Sequence, residues 1–302
     1  VPAGSVPFFV GAGAYKHHVP STVDHLIQRS EFLTSYTPYQ PEITQGTLQY
    51  LFEFQTQVAR LTAMDVANAS MYDGSTACGE AVLMACRVKR RNKCVLAAGL
   101  HPHYSAVTKG LCQYLGIDLD IHAPAPNKDA DVMNGLDKDV AAIVVQSPNV
   151  FGEVVDLEPY AEAAHAVGAL LIAVFTEPVA FGAIKSPGEM GADIVLGNAQ
   201  HFGVPMGFGG PHAAFFATRD AYKRSIPGRI IGVSIDAQGN QALRMALQTR
   251  EQHIRREKAN SNICTAQVLL ANLSSFYAVY HGPQGLKTIA SRIHRLTDIL
   301  AL

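Results

Sequence analysis

The side chains best suited to chemistry lie in a polar turn, Asn198–His201, between two short apolar runs. We predict that both runs, Asp193–Leu196 and Ala213–Ala217, are strands, because they are rich in strand formers and bounded by glycine. The glycine-rich stretch Pro205–Pro211 would let the backbone approach a ligand or another chain closely; an elaborate hairpin loop is the alternative. Lysine is absent from Ser186 to Tyr222, so this whole stretch lacks an amine nucleophile.

A second candidate is the sequence Gly74-Ser75-Thr76, which opens a predicted helix that continues through Ala77–Lys89. The free N–H groups of a helix N-terminus, together with two hydroxyls, suit a phosphate. An ordinary helix N-cap is the alternative, and on this feature alone it is the one we favour.

A third group of candidates, Tyr36, Tyr39 and Gln40, lies on a segment stiffened by Pro38 and Pro41. Proline fixes its own φ and restricts the residue before it, so the segment is predicted to be extended. Two tyrosines and an amide on so stiff a segment could line a pocket. A surface arm packed on a neighbouring subunit explains them equally well.

Several other common motifs are missing. The sequence contains no GxSxG, Walker A or HExxH pattern, and the glycines of Gly11–Pro20 lack the third glycine and the preceding strand of a dinucleotide site. The pairs His17–His18 and His101–His103 have no carboxylate or cysteine companions at metal-ligand spacing, so no metal site is expected. The five cysteines form no CxxC pair, and buried, reduced thiols are the usual outcome, with Cys264 predicted to lie in the core.

Composition disfavours several classes of protein. The 302 residues carry a formal net charge of −1, whereas proteins that bind nucleic acids or anionic membranes normally carry a basic surplus. No apolar run approaches the roughly 20 residues of a transmembrane helix, and no signal or transit peptide is visible. We therefore expect neither a nucleic-acid nor a membrane partner. The expected location is the cytoplasm, or the mitochondrial matrix if the source is eukaryotic.

Strand and helix patterns alternate through most of the chain, which predicts a mostly parallel sheet with helices on both faces. Uninterrupted apolar runs such as Val140–Gln146 and Ala169–Phe175 are typical of strands buried on both sides. Ligands bind at the carboxyl ends of the strands in such sheets. Here those ends are Met71–Thr76, Gln146–Asn149, Thr176–Glu177 and Asn198–His201.

Residues 219–302 have a different character. We predict a polar helix over Gly239–Lys258, followed by helices over Thr265–Tyr280 and Leu286–Leu302. The arginines near the end of the polar helix alternate with Glu251 and Glu257. This mixture indicates a solvated or subunit-facing helix rather than a nucleic-acid surface.

With these motifs in order, the chain resembles the P-protein family of the glycine cleavage system. It is similar to the half of that protein that carries no pyridoxal phosphate (PLP), namely the α subunit (subunit 1) of the two-chain form or the N-terminal half of the long single-chain form. Five blocks carry the resemblance: Ser35–Gln49, Asn68–Ala81, Ser186–Val195, Gly203–Asp220 and Leu247–Gln267.

The resemblance implies an α/β fold, that of the fold-type I PLP-dependent transferases, in which a large domain with a mostly parallel sheet precedes a smaller C-terminal domain. It assigns residues 1–45 to an N-terminal arm and loop segment and residues 46–271 to the large domain. Residues 272–302 would form the helical start of the small domain, which is otherwise largely absent. The family's N-terminal arm is also longer than residues 1–45 supply.

In the family's active half, a lysine in the turn after this same strand binds PLP covalently. The matching turn here is Gln200-His201-Phe202, and imidazole has no amine that could form a stable imine. The aspartate that pairs with the pyridine nitrogen in the family is replaced by Thr176-Glu177. The resemblance therefore implies that a partner chain holds PLP, and it assigns no catalytic residue to this chain.

The resemblance also implies a reaction: glycine is decarboxylated, and its aminomethyl group moves to the lipoyl arm of H-protein, in complex with a PLP-bearing subunit. Two alternatives are a purely structural docking subunit and an independent α/β enzyme that binds a phosphorylated ligand at Gly74–Thr76. The candidates for binding a cofactor or lining a site are Lys16, His17, Tyr36, Tyr39, Gln40, Gly74, Ser75, Thr76 and His201.

Overall fold

The computed structural model describes residues 5–7, 11, 13–207, 211–261, 263 and 266–302. Within them the main sheet has seven strands: β1 (Val66–Ala67), β2 (Lys93–Leu96), β3 (Asp118–Ile121), β4 (Val140–Gln146), β5 (Leu170–Phe175), β6 (Ile194–Asn198) and β7 (Ala214–Thr218). Their order across the sheet is β1-β7-β6-β5-β4-β2-β3. Strands β2 to β6 are parallel, and β7 is antiparallel to both of its neighbours. The predicted mostly parallel sheet is confirmed.

Helices cover both faces of this sheet. The helices are α1 (Ser21–Ile27), α2 (Ser30–Leu33), α3 (Gln45–Thr62), α4 (Gly74–Lys89), α5 (Pro102–Cys112), α6 (Glu158–Ala166), α7 (Gln252–Arg255) and α8 (Val268–Ala301). Side chains of α3 and α6 share one apolar core with the sheet, and side chains of α4 and α5 share the other.

The two cores explain why the strand sequences are apolar without interruption. Along β4, Ile143 and Val145 belong to the core that contains Leu51 of α3, whereas Val144 belongs to the core that contains Met84 of α4. All five side chains are fully buried. Because successive side chains of a strand point to opposite faces, a strand covered on both faces needs an apolar residue at every position.

The predicted helix over Gly239–Lys258 is wrong. Ile231–Ile235 (β8) and Gln241–Met245 (β9) form an antiparallel hairpin, and only short helical turns follow, up to Lys258. The turn is closed by Asp236, whose carboxylate accepts hydrogen bonds from the backbone N–H groups of residues 238 and 240, each at 2.8 Å. Aspartate is a turn former, and Gly239, three residues later, takes the positive φ that a turn can require, so together they oppose a continuous helix here.

Two glutamines of α3 attach the hairpin to this helix. The amide of Gln55 donates to the carbonyl oxygen of Ile231 (3.0 Å) and accepts from its N–H (2.7 Å). Gln45 makes the same pair of hydrogen bonds with Leu243, at 2.8 and 2.9 Å. Each glutamine thus satisfies backbone groups that a neighbouring strand would otherwise bond.

The long helix α8 is interrupted at Gly282, where φ is 61° and ψ is 179°. The break separates the two helices predicted over Thr265–Tyr280 and Leu286–Leu302. The first residue of the former range lies outside the described residues, as does Cys264. The assignment of residues 1–45, 46–271 and 272–302 to separate regions stays a prediction.

The other four cysteines, Cys78, Cys86, Cys94 and Cys112, are free and buried, as predicted. Among the described helices, none combines the length and the apolar character needed to cross a bilayer.

Candidate functional site

Polar side chains gather at the carboxyl ends of the parallel strands. His101 lies just beyond β2, Thr176 and Glu177 follow β5, and His201 follows β6; the space between these four side chains is called the crevice. Gln146, at the end of β4, ties its walls together. Its side-chain amide donates to the Thr176 hydroxyl (3.3 Å) and accepts from the backbone N–H of His101 (2.9 Å). Ligands bind at this end of a parallel sheet.

His201, which the resemblance matches to the lysine of the family's active half, is only 2% exposed. Its Nδ1 lies 2.7 Å from Oε2 of Glu177, but the two groups are not aligned as a hydrogen bond. Within the described residues, neither ring nitrogen of His201 has a hydrogen-bond partner. The ring instead packs against Tyr15, with centroids 4.5 Å apart, and edge-on to His17 at 6.1 Å.

The N-terminal loop, residues 13–18, lies across the crevice. On one side, the carbonyl oxygen of Gly13 accepts a hydrogen bond from the Asn198 amide at 2.9 Å. On the other side, a Cβ added to Gly13 would lie 3.9 Å from the His101 ring and from Cβ of Thr176. The loop backbone therefore fills the width of the crevice from the end of β2 to the end of β6.

His17 fixes the second half of the loop. Its Nε2 accepts from the backbone N–H of Gly203 at 3.1 Å, and its Nδ1 lies 3.4 Å from the carbonyl oxygen of Tyr15. These contacts assign the proton to Nδ1 of a neutral ring. Burial, and to a lesser degree nearby His201, lowers the pKa of His17. His17, a candidate for lining a site, is half-buried and makes these contacts within its own chain.

The N-terminus of α4 is capped by a carboxylate of the chain itself. Asp73 accepts from the N–H of Thr76 (2.8 Å) and from the hydroxyls of Ser75 (2.5 Å) and Thr76 (2.8 Å). Burial opposes ionisation, but these hydrogen bonds outweigh it and lower the pKa of Asp73. Gly74 lies directly beneath the Tyr104 hydroxyl, with no room for a Cβ. The groups predicted to bind a phosphate are thus engaged in an N-cap, which was the alternative.

Tyr36 and Tyr39 lie on the surface, 64% and 42% exposed, with ring centroids 6.3 Å apart. The Tyr39 hydroxyl accepts a hydrogen bond from Arg229 at 3.0 Å, and the guanidinium lies 5.5 Å from the centre of the same ring. Arg229 is paired with Glu251, and the two side chains are only 6% and 3% exposed. A buried ion pair therefore holds an exposed aromatic ring. Gln40, next to it, is exposed.

Sequence reasoning missed three residues of these sites: Tyr15, Asp73 and Arg229. A signal for Asp73 existed, because an aspartate three residues before Thr76 at the start of an apolar helix is a typical N-cap. For Tyr15 and Arg229 no local signal exists. The hydrogen bond from Tyr15 to Gln200 spans 185 positions of sequence, and the one from Arg229 to Tyr39 spans 190.

The crevice does not fit PLP. It offers imidazole at His201 instead of an amine, Gly13 closes the space between its walls, and the helix N-terminus that could hold a phosphate already binds the carboxylate of Asp73. For metals, the described part of the chain contains no group of three or more histidine, cysteine, aspartate or glutamate side chains placed to hold an ion.

Comparison with known proteins gives a consistent result. The family model described as "Glycine cleavage system P-protein" matches residues 4–302. A "probable glycine dehydrogenase (decarboxylating) subunit 1" of Xanthobacter autotrophicus is 60% identical over 301 residues, which are 100% of this chain and 68% of that protein. The protein of the same name from Azorhizobium caulinodans is 58% identical over 305 residues, again covering 100% of this chain and 68% of the relative. The chain thus spans about two thirds of the length of these relatives.

Solved structures agree with this result. A crystal structure of glycine decarboxylase (P-protein) of the glycine cleavage system, in inhibitor-bound form, superposes with a TM-score of 0.87 at 44% identity, covering 95% of this chain and 67% of that one. Glutamate decarboxylase of Lactobacillus brevis shares the fold, with a TM-score of 0.68 at 13% identity over 94% of this chain and 66% of that one. The predicted fold-type I α/β class is confirmed.

Proposed function

Because the chain belongs to the P-protein family of the glycine cleavage system, we propose that it acts as the subunit of glycine dehydrogenase (decarboxylating) that carries no cofactor lysine. In the complete enzyme, glycine is decarboxylated and its aminomethyl group is transferred to the lipoyl arm of H-protein. PLP, which supplies the electron-accepting chemistry of the reaction, belongs to a partner chain. The bacterial relatives support a cytoplasmic location.

One observation carries this proposal: the turn after β6 presents His201 where a lysine is needed. No lysine occurs from Ser186 to Tyr222, so none lies in the sequence on either side of that turn. His201 is also 2% exposed and packed against Tyr15. A reactive group must meet its substrate, and this ring is covered by its own chain.

The exposed residues near the N-terminus are the part of this chain that we propose to contact the partner. Tyr36, Tyr39 and Gln40 are exposed on an extended segment, and Arg229 keeps the ring of Tyr39 in one orientation. Lys16 and His18, on either side of half-buried His17, are exposed as well. A fixed aromatic ring loses little conformational entropy on binding, which favours it as an anchor in an interface.

The proposal is tested by mixing the purified chain with its PLP-bearing partner and following the exchange of labelled bicarbonate into the carboxyl group of glycine. We expect exchange from the mixture and from neither chain alone. Exchange by this chain without the partner would contradict the proposal. Full activity of the partner alone would contradict it equally.

A purely structural docking subunit is the second candidate, favoured by the filling of the crevice by the N-terminal loop. The two functions differ in what Tyr36→Phe and Tyr39→Phe do to exchange. If the tyrosine hydroxyls help to build the partner's site, exchange falls while the complex still forms. If the chain serves only for docking, exchange by the complex is unchanged.

A further inference from the structure

The crevice and the N-terminus of α4 are both filled by groups of the chain itself. The ring of Tyr15 packs on His201 at 4.5 Å, and the backbone of Gly13 separates the walls of the crevice. The carboxylate of Asp73 takes three hydrogen bonds at the start of α4, from one backbone N–H and two hydroxyls. The crevice therefore contains the aromatic ring of Tyr15, and the N-terminus of α4 binds the carboxylate anion of Asp73.

These two spaces are neighbours. Tyr104 lies between them: its hydroxyl is directly over Gly74, the residue after Asp73, and its ring centroid is 5.4 Å from that of His101, which borders Gly13. On the other side, Nδ1 of His212 lies 3.4 Å from the Asn198 side chain, whose amide donates to the carbonyl oxygen of Gly13. The ring and the anion thus lie in one continuous site at the carboxyl ends of the strands.

A phosphorylated aromatic cofactor presents the same two features to a protein. Its ring packs between side chains at the strand ends, and its phosphate accepts hydrogen bonds from N–H groups at a helix N-terminus. We propose that the ring of Tyr15 and the carboxylate of Asp73 are a built-in occupant that replaces such a cofactor in this subunit. The occupant keeps the site folded and excludes free cofactor, so that the absence of lysine is only one of two barriers to binding.

His201 shows how closely the occupant covers the site. The ring is buried with both nitrogens lacking hydrogen bonds in the described part of the chain, and burial of such a group is unfavourable unless something compensates. In an open crevice water would bond these nitrogens, so the cost arises because the loop covers the ring. The carboxylate of Glu177 and the packing of Tyr15 and His17 offset part of it.

The test uses the full chain and 4′-deoxypyridoxine 5′-phosphate, which has the ring and the phosphate but no aldehyde that could react with surface lysines. Two substitutions open the site: Tyr15→Ala removes the ring, and Asp73→Ser removes the charge while keeping a residue that caps helices well. The matched controls are Tyr15→Phe, which keeps the ring, and Tyr114→Ala, at a position 87% exposed.

We expect calorimetric titration to show binding by the Tyr15→Ala/Asp73→Ser variant at least tenfold tighter than by the wild type or by either control. Binding by the wild type as tight as by the double variant would overturn the proposal. A double variant that unfolds cooperatively like the wild type but gains no affinity would also overturn it.

A second measurement keeps the proposal testable if the double variant does not fold. In the wild-type chain, backbone amides of residues 13–18 should exchange with deuterium at least tenfold more slowly than those of an exposed loop, because a filled site requires the loop to stay in place. Exchange as fast as in an exposed loop would refute the occupant. The proposal rests on the proposed function only in placing the cofactor on another chain. If glycine–bicarbonate exchange fails to need the partner, the proposed function fails while the titration result still stands.

Discussion

The crevice and the surface formed by Tyr36 and Tyr39 were both candidates for the functional site of this chain. The structure covers the first and leaves the second exposed to solvent. In the crevice, aromatic and polar side chains that could meet a ligand are turned against each other, and the N-terminal loop covers them. At the surface, two aromatic rings remain in solvent, and the buried pair of Arg229 and Glu251 holds one of them from beneath. Polar residues therefore close the crevice, whereas at the surface they hold an aromatic ring in an exposed position.

Burial, more than residue type, distinguishes the closed crevice from the exposed surface that carries Tyr36 and Tyr39. His201 and Tyr15 are chemically capable residues, but their rings pack on each other and His201 is almost fully buried. Arg229 and Glu251 are also buried, yet their contact with Tyr39 reaches the surface. Ion pairs in protein interiors contribute little net stability compared with apolar residues, so their retention needs another reason. Presentation of Tyr39 is such a reason.

The largest effect is expected from breaking the buried pair. Arg229→Met should lower the free energy of unfolding by about 3–5 kcal/mol, because the buried carboxylate of Glu251 loses the positive charge of Arg229. Urea denaturation of the variant and the wild type measures the loss. Replacing both residues by methionine should restore more than half of it. A loss below about 1 kcal/mol in the single variant would mean that the pair is open to water, and the contrast between the two regions would weaken.

A smaller effect is expected for Tyr39→Ala, and it should appear in binding rather than in folding. If the ring is an anchor for the partner chain, its removal should cost about 1.5–2 kcal/mol of binding, or roughly ten- to thirtyfold in affinity. Titration of the partner with the variant measures the affinity. The control is Tyr114→Ala, at a position just after α5 that is 87% exposed. Equal affinities for both variants would place Tyr39 outside the interface.

A third prediction concerns how tightly the loop fits the crevice. Gly13 has a φ of +84° but space for a Cβ at 3.9 Å from its nearest neighbours. Gly13→Ala should therefore cost only the backbone strain of that conformation, about 1–2 kcal/mol, in urea denaturation. Gly110 of α5 has an open surrounding, and its replacement by alanine should instead stabilise the helix by about 0.5–1 kcal/mol. No loss from Gly13→Ala would show that the loop leaves the crevice without cost to the fold.

Much of this fold could be predicted from the sequence, because its strands carry their own signal. Residues 140–145 are apolar at every position, and the structure buries every side chain from Val140 to Gln146. The hairpin β8–β9 was missed because Val233 and Ile235 are exposed, so its apolar pattern is weak, and the charged sequence after it favours helix. The turn at Asp236 was the signal that could have corrected the error.

The site could be predicted only in part. The position of His201 follows from the order of strands, since it comes directly after β6. Its surroundings do not follow, because Tyr15 and His17 reach the crevice from the other end of the chain. The contact between His17 and Gly203 spans 186 positions, and no local pattern encodes which loop will return to a given strand end. Asp73 was predictable in part: its capping role is local, but the packing of Tyr104 over the neighbouring Gly74 is not.

The smallest expected effect, a change in pH dependence, sharpens the comparison at His17. Its Nε2 can accept the N–H of Gly203 only when unprotonated, and burial followed by the charge of His201 lowers its pKa below the usual 6.5. When a pKa is lower in the folded state, the unfolded chain binds more protons between the two values, so stability rises with pH through that window and is lost as pH falls from 6.5 towards the lowered value.

Because burial also lowers the pKa values of His212 and His281, the readout should be local: deuterium exchange of a peptide containing Gly203. Its protection should fall on acidification in the wild type and stay level in His17→Gln, whose amide oxygen can accept the same hydrogen bond without titrating. Equal pH dependence in the two proteins would show that His17 does not hold the loop, and the crevice would then be no more closed than the surface that carries Tyr36.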